Sequence, residues 1–103
     1  MTNIYLRIFK EKGFVIVAAC DSGVLGKTFR EGRLKLEVAD RFYKGELCSI
    51  EEAVQALQAA DIGNLVGGTV VKAAVENGLV DPAAVITIGG VPHVQIIKIS
   101  RPR

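Results

Sequence analysis

"VAACDSGVLGKTFREG", residues 17–32, decides between two folds. An apolar run of small and β-branched residues stops at Asp21, and Gly26-Lys27-Thr28 follows. A phosphate-cradling loop, G-x-x-x-x-G-K-[ST], joins a strand to a full helix, so finding one here would commit the chain to a nucleotide-binding α/β fold. Its glycines let backbone N–H groups converge on phosphate oxygens, and the helix dipole adds to the attraction. The first glycine of that pattern falls on Asp21, whose carboxylate repels phosphate. Gly23 comes two residues too late, and only Phe29-Arg30-Glu31 separates Thr28 from Gly32, so no long helix fits. The stretch reads instead as a capped turn. Asp21 caps a short turn through Ser22 to Leu25, Gly26 ends it, and "TFREG" leads into a strand beginning near Arg33.

On either side of this loop the pattern is that of strands. Upstream, "NIYLRIF" alternates Ile4, Leu6 and Ile8 against Tyr5, Arg7 and Phe9, a period of two. "KEKG" turns, and "FVIVAAC" is solidly apolar, as befits a central strand covered on both faces. Downstream, "RLKLEVA" sends Leu34, Leu36 and Val38 one way and Arg33, Lys35 and Glu37 the other, completing a three-stranded meander. The period then becomes helical. "CSIEEAVQALQAA" opens on a capping box of Ser49 and Glu52, and Ile50, Ala53, Val54, Leu57 and Ala60 share a stripe. A second helix is expected through "NLVGGTVVKAAVENGLV", stopping at Asn77-Gly78-Leu79 in a Schellman motif. Gly63 and Gly67, four apart, allow a close helix–helix or helix–strand approach. Asp81 and Pro82 start a single helical turn, and "VITI" and "VQIIKI" close the chain as a hairpin around "GGVP". The expected architecture is a single α+β domain over residues 1–103. It has a mixed or antiparallel sheet of about five strands, with two main helices packed on one face.

Composition bounds the function. Half of the 103 residues are apolar and 23% are charged, as in an ordinary globular domain with a core of its own. No apolar run approaches the length of a membrane span, and the charged, alternating N-terminus is unlike a signal peptide. A cytoplasmic protein is expected. Cys20 and Cys48 lie far apart, without the close spacing of a metal or redox pair, and read as buried thiols; no metal or cofactor is implied. Net charge is only +2, but residues 1–44 carry nine Lys/Arg against five Asp/Glu, whereas residues 45–103 carry four against six. The C-terminal "RPR" adds two of those cations.

The basic first half supplies the main candidates. Lys27, Arg30 and Arg33 sit close together beside turn glycines, where they can hold a phosphate or form a charged surface loop. "DRFYKGEL" interleaves Phe42 and Tyr43 with Arg41 and Lys44, either a base-stacking surface or an aromatic plug where the chain turns toward the helices. His93, the sole histidine, stands in the turn "GGVPHVQ" as a candidate base or ligand, or as a structural residue. Ser22 and Ser49 both have capping explanations, and Glu51 and Glu52 suit the first turn of a helix.

"VAACD", "LGKTFREG", "FYKGE", "NLVG" and "GGVPHVQ", in this order and spacing, resemble a small archaeal family known as domain of unknown function 424. The resemblance spans nearly the whole chain and implies a cytoplasmic α+β protein associated with translation. It carries no catalytic residues with it. Two functions follow. The first is a non-enzymatic binding module using Lys27, Arg30, Arg33, Arg41 and Lys44 against RNA or an acidic protein surface. The second is a small-molecule or phosphate site, enzymatic or not, where the Asp21–Gly32 loop meets the Gly89–His93 turn. That site requires a pocket containing both Lys27 and His93. A homo-oligomer joined through a strand edge or the glycine-marked helix is compatible with either.

Overall fold

The computed structural model describes residues 2–98. Strands β1 (Thr2–Glu11) and β2 (Phe14–Asp21) form the first hairpin, turning at Lys12 and Gly13 with φ of 52° and 83°. Two successive residues at positive φ give a turn whose twist matches that of the strands it joins. The segment after β2 is not the start of a helix: β3 (Thr28–Glu31) follows Gly26-Lys27 directly. It pairs only with β4 (Leu34–Glu37), so the alternating "LKLE" segment leaves the main sheet instead of completing a meander. Helix α1 (Asp40–Tyr43) is a single turn, β5 (Glu46–Ser49) pairs with β1, and α2 (Ile50–Ala59) follows without a break.

The second helix is shorter than the sequence suggests. Its expected first turn is a strand, β6 (Ile62–Val66), parallel to β2, and helix α3 (Gly68–Glu76) begins only beyond Gly67. The apolar run at the start of "NLVGGTVV" fits either period, and the slot beside β2 determines which is adopted. Gly63 lies in β6, and the close approach it permits is that of a helix to a strand, not of two helices. A β-carbon there would stand 3.1 Å from Leu57 Cδ2 and 3.3 Å from Ile96 Cβ, so glycine lets α2 lie close on the sheet. β7 (Ile86–Ile88) and β8 (Val91–Ile97) form the closing hairpin. Ile99 and the "RPR" tail lie outside the described residues.

The result has more strands than the five or so expected. A six-stranded sheet in the order β5-β1-β2-β6-β8-β7, antiparallel except at β2–β6, is accompanied by the separate β3–β4 ribbon. The surplus comes from β3, β5 and β6, short segments that become strands only through pairing with their neighbours. The architecture is broadly α+β, with α2 and α3 on one face as anticipated. Val17, Ala19, Leu65, Val94 and Ile96 meet Ala53, Leu57, Val70 and Ala74 there. The opposite face sends Ala18, Cys20, Val66 and Ile88 against Leu36, Val38 and Tyr43 of the ribbon and α1. β2 is thus covered on both sides, which its unbroken apolar sequence requires.

The helix ends follow their signals. Ser49 Oγ accepts from Glu52 N at 3.1 Å while Glu52 Oε1 accepts from Ser49 N at 3.0 Å, the reciprocal pair of a capping box. Gly78, at φ 71°, donates to the Val75 carbonyl, and Leu79 N reaches the Ala74 carbonyl at 2.9 Å, completing the Schellman stop. Asp81 caps the turn Pro82–Ala84 through Ala83 N.

Candidate functional site

The β3–β4 ribbon is amphipathic because its strands alternate. Phe29 and Leu36 are partners that face the sheet, so their neighbours Arg30 and Lys35, also partners, face solvent. Gly32 and Arg33 form the ribbon's turn, with Gly32 at φ 59°. Lys27 lies at the ribbon's base, where its carbonyl accepts from Val38 N at 2.9 Å. The Asp40 carboxylate at the start of α1 lies against Gly26, which joins α1 to that base. Lys27, Arg30, Arg33, Arg41 and Lys44 are all exposed, and all lie in the layer opposite α2 and α3. Lys35 joins these cations. It was legible as a polar position in "RLKLEVA", but its standing opposite Arg30 follows only from the ribbon's register.

The aromatic segment is a plug, not a free stacking platform. Tyr43 is buried, Phe42 stacks on Phe9 at 5.3 Å between centroids, and Tyr43 meets Phe42 edge-on at 5.0 Å. Arg7 lies 4.7 Å over the Phe9 ring and donates from Nη1 to the Arg41 carbonyl, tying α1 to β1.

Asp21 does not cap the turn that follows it; the short 3-10 turn Ser22–Val24 receives no side-chain hydrogen bond from it. Its register partner Ile4 belongs to the helix-side core, so Asp21 leaves β2 on that face. Its carboxylate accepts from Thr69 N and Val70 N, both at 2.9 Å, and so caps α3. Gly67 makes room: it sits at φ 117°, and a β-carbon there would fall 2.4 Å from Asp21 Cγ. A strand, a Gly-Gly pair and a helix N-terminus would suit an anion, but the chain supplies its own.

His93 lies on the other face of the sheet, sharing it with its partners Val66 and Ile86. Its Nδ1 donates to the Leu65 carbonyl at 2.9 Å, which fixes the orientation of the ring. The groove beside it, of about 290 Å³, is lined by Ala84, Ile86, Val94, Gln95 and Ile97 and does not include Lys27. The Asp21–Gly32 loop and the Gly89–His93 turn do touch, through a 2.9 Å hydrogen bond from Gly89 N to Glu31 Oε1. That contact joins the two segments, and Asp21 is on the far side of the sheet from His93.

Cys20 and Cys48 are buried free thiols. Burial, reinforced by the carboxylates of Asp21 and Asp40, pushes the Cys20 thiol up to about 12; burial also raises Cys48. Neither is a thiolate at neutral pH, and so neither is a ready nucleophile. No cluster of three His, Cys, Asp or Glu suited to a metal ion occurs among the described residues. No helix among them is long and apolar enough to cross a membrane.

Comparison with known proteins identifies relatives without a described activity. A family described as "Protein of unknown function (DUF424)" matches residues 9–99. A crystal structure of an uncharacterised conserved protein from Methanopyrus kandleri superposes with a TM-score of 0.81 at 25% identity, covering 98% of this chain and 96% of that one. No curated protein matches.

Proposed function

The chain belongs to the DUF424 family, and we propose that it is a small binding module that holds RNA backbone on the outward face of the β3–β4 ribbon and α1. One observation carries the reading. Arg30 and Lys35 stand directly opposite each other across the ribbon. Like charges at opposed positions destabilise a two-stranded ribbon, and a phosphate between them turns that repulsion into two attractive contacts. Arg33 in the adjoining turn and Lys27 at the base lengthen the basic stripe. Arg41 and Lys44 extend it along α1, where Arg7 and Phe9 brace the backbone. The association rests on charge and not on base stacking, because Phe42 and Tyr43 are committed to packing. Sequence preference should therefore be weak and salt dependence steep.

The test is an anisotropy titration with single-stranded RNA fragments across a salt series. Five phosphate contacts correspond to a log–log slope of about −3.5 on a single strand. Lys27→Glu with Arg30→Glu should weaken binding by more than about tenfold, without change in the far-UV spectrum. Affinity unchanged in that double variant rejects the ribbon as the RNA surface. Preference for poly-glutamate over RNA in competition assigns the same cations to an acidic protein partner instead.

A further inference from the structure

We infer that the open edge of β8 pairs with the same edge of a second copy of this chain, forming a two-fold dimer with one continuous sheet. The backbone alternation shows which groups lack partners. Lys98 N donates to the Asp61 carbonyl at 2.7 Å, and Gly67 N donates to the Pro92 carbonyl at 2.9 Å. Even-numbered residues of this segment thus turn their backbone groups toward β6, and odd-numbered residues turn theirs the other way. β7 meets Val91 and His93 through the pairs Ile88↔Val91 and Ile86↔His93, and then ends. Gln95 and Ile97 present N–H and C=O groups toward an edge that no strand covers among the described residues. The groove of about 290 Å³ runs along this edge.

Sheet edges are normally guarded by charge, proline or a bulge. Val94–Ile97 has none of these. The adjoining cation is turned away, since Lys98 Nζ donates to the Leu57 and Gln58 carbonyls at the end of α2, at 3.0 and 2.7 Å. Ile97 and Ile86 remain 69% and 47% exposed beside the open backbone. The sheet's other edge is guarded: β5 is four residues long, contains Glu46, and pairs with β1 across a register shift between Thr2 and Ile4.

That asymmetry selects the occupant. A head-to-tail stack needs two open edges, whereas one open edge pairing with itself closes after two copies. With the axis at Ile96, Gln95 of one copy stands opposite Ile97 of the other, so the two outward residues of each satisfy those of its mate. A two-fold axis perpendicular to the sheet also leaves both basic ribbons on the same side. The dimer itself does not depend on RNA binding, and its test contains no RNA.

Sedimentation velocity on the full chain, over a series from low micromolar to several hundred micromolar, should show mass rising from 11.0 kDa toward twice that value. Gln95→Pro removes one outward N–H, and Ile97→Lys places a charge on the edge; each should hold the chain monomeric with its circular dichroism unchanged. The double variant Gln95→Cys, Ile97→Cys reports the register directly. Mild oxidation should give a disulfide-linked dimer, while the wild type, with both cysteines buried, gives none. A monomer throughout the series with no cross-link overturns the inference, and so does a dimer indifferent to both edge substitutions.

Discussion

Asp21 terminates a strand, yet its carboxylate works on a helix 48 residues further along the chain, at Thr69 N, and 49 residues along, at Val70 N. It satisfies two of the four N–H groups that a helix leaves unpaired at its start and opposes the positive end of the dipole. Asp21→Ala should therefore cost about 1–2 kcal/mol in urea denaturation, and Asp21→Asn should recover part of it. A variant as stable as the wild type would show that α3 needs no cap here. The sequence marked Asp21 as a capping residue, correctly in kind, but assigned it the nearest turn. Side-chain capping is usually local, and only the parallel pairing of β2 with β6 carries this one to a distant helix. Gly45 is a similar case. A β-carbon there would fall 2.0 Å from the Leu6 carbonyl oxygen, a close approach that nothing in "YKGEL" announces.

Among the elements, α2 was the most legible because its cap, stripe and length are all local. Its capping box also gives it a pH dependence. The hydrogen bond from Ser49 N, and then the one with the Ser49 side chain, holds the Glu52 carboxyl below its ordinary value of 4.5. A carboxyl lowered in the folded state contributes stability above its unfolded pKa, and that contribution is lost as pH falls through the folded value. Melting curves of the wild type and Glu52→Gln should differ most at neutral pH and converge as the pH falls through that lowered value. A difference independent of pH would mean that the charge of Glu52 plays no part. By contrast, β6 lies where the sequence predicts helix, and β5 has no local signal of its own. Five-residue and four-residue strands contain too few positions for a period to appear, and pairing with β2 and with β1 makes them strands. The ribbon falls between these cases: "RLKLEVA" declared its alternation, but not that its partner would be "TFRE" alone.

At the scale of the whole molecule, the sheet is packed on both faces, and its second core holds two titratable groups. Cys20 and Tyr43 are both raised to about 12, chiefly by burial. A group raised in the folded state contributes stability that is present below its unfolded pKa and lost as pH climbs toward the folded one. Stability should therefore decline between pH 9.0, where an ordinary thiol begins to ionise, and about 12. Cys20→Ala should flatten that decline, as read by denaturation at a series of alkaline pH values; an identical alkaline limb would locate its cause elsewhere. The sequence by itself determined the broad α+β class, the first and last hairpins, the caps of α2 and the end of α3, the burial of both cysteines and the excess of cations in the first half. Each of these follows from composition or from contacts within a few residues. The tertiary structure alone decided the strand order, the strand identity of β5 and β6, the distant role of Asp21, the opposition of Arg30 to Lys35 and the open edge at Gln95 and Ile97. These depend on which segments lie side by side, and pairing between segments far apart in the chain is fixed by the packing of the whole sheet rather than by any local period.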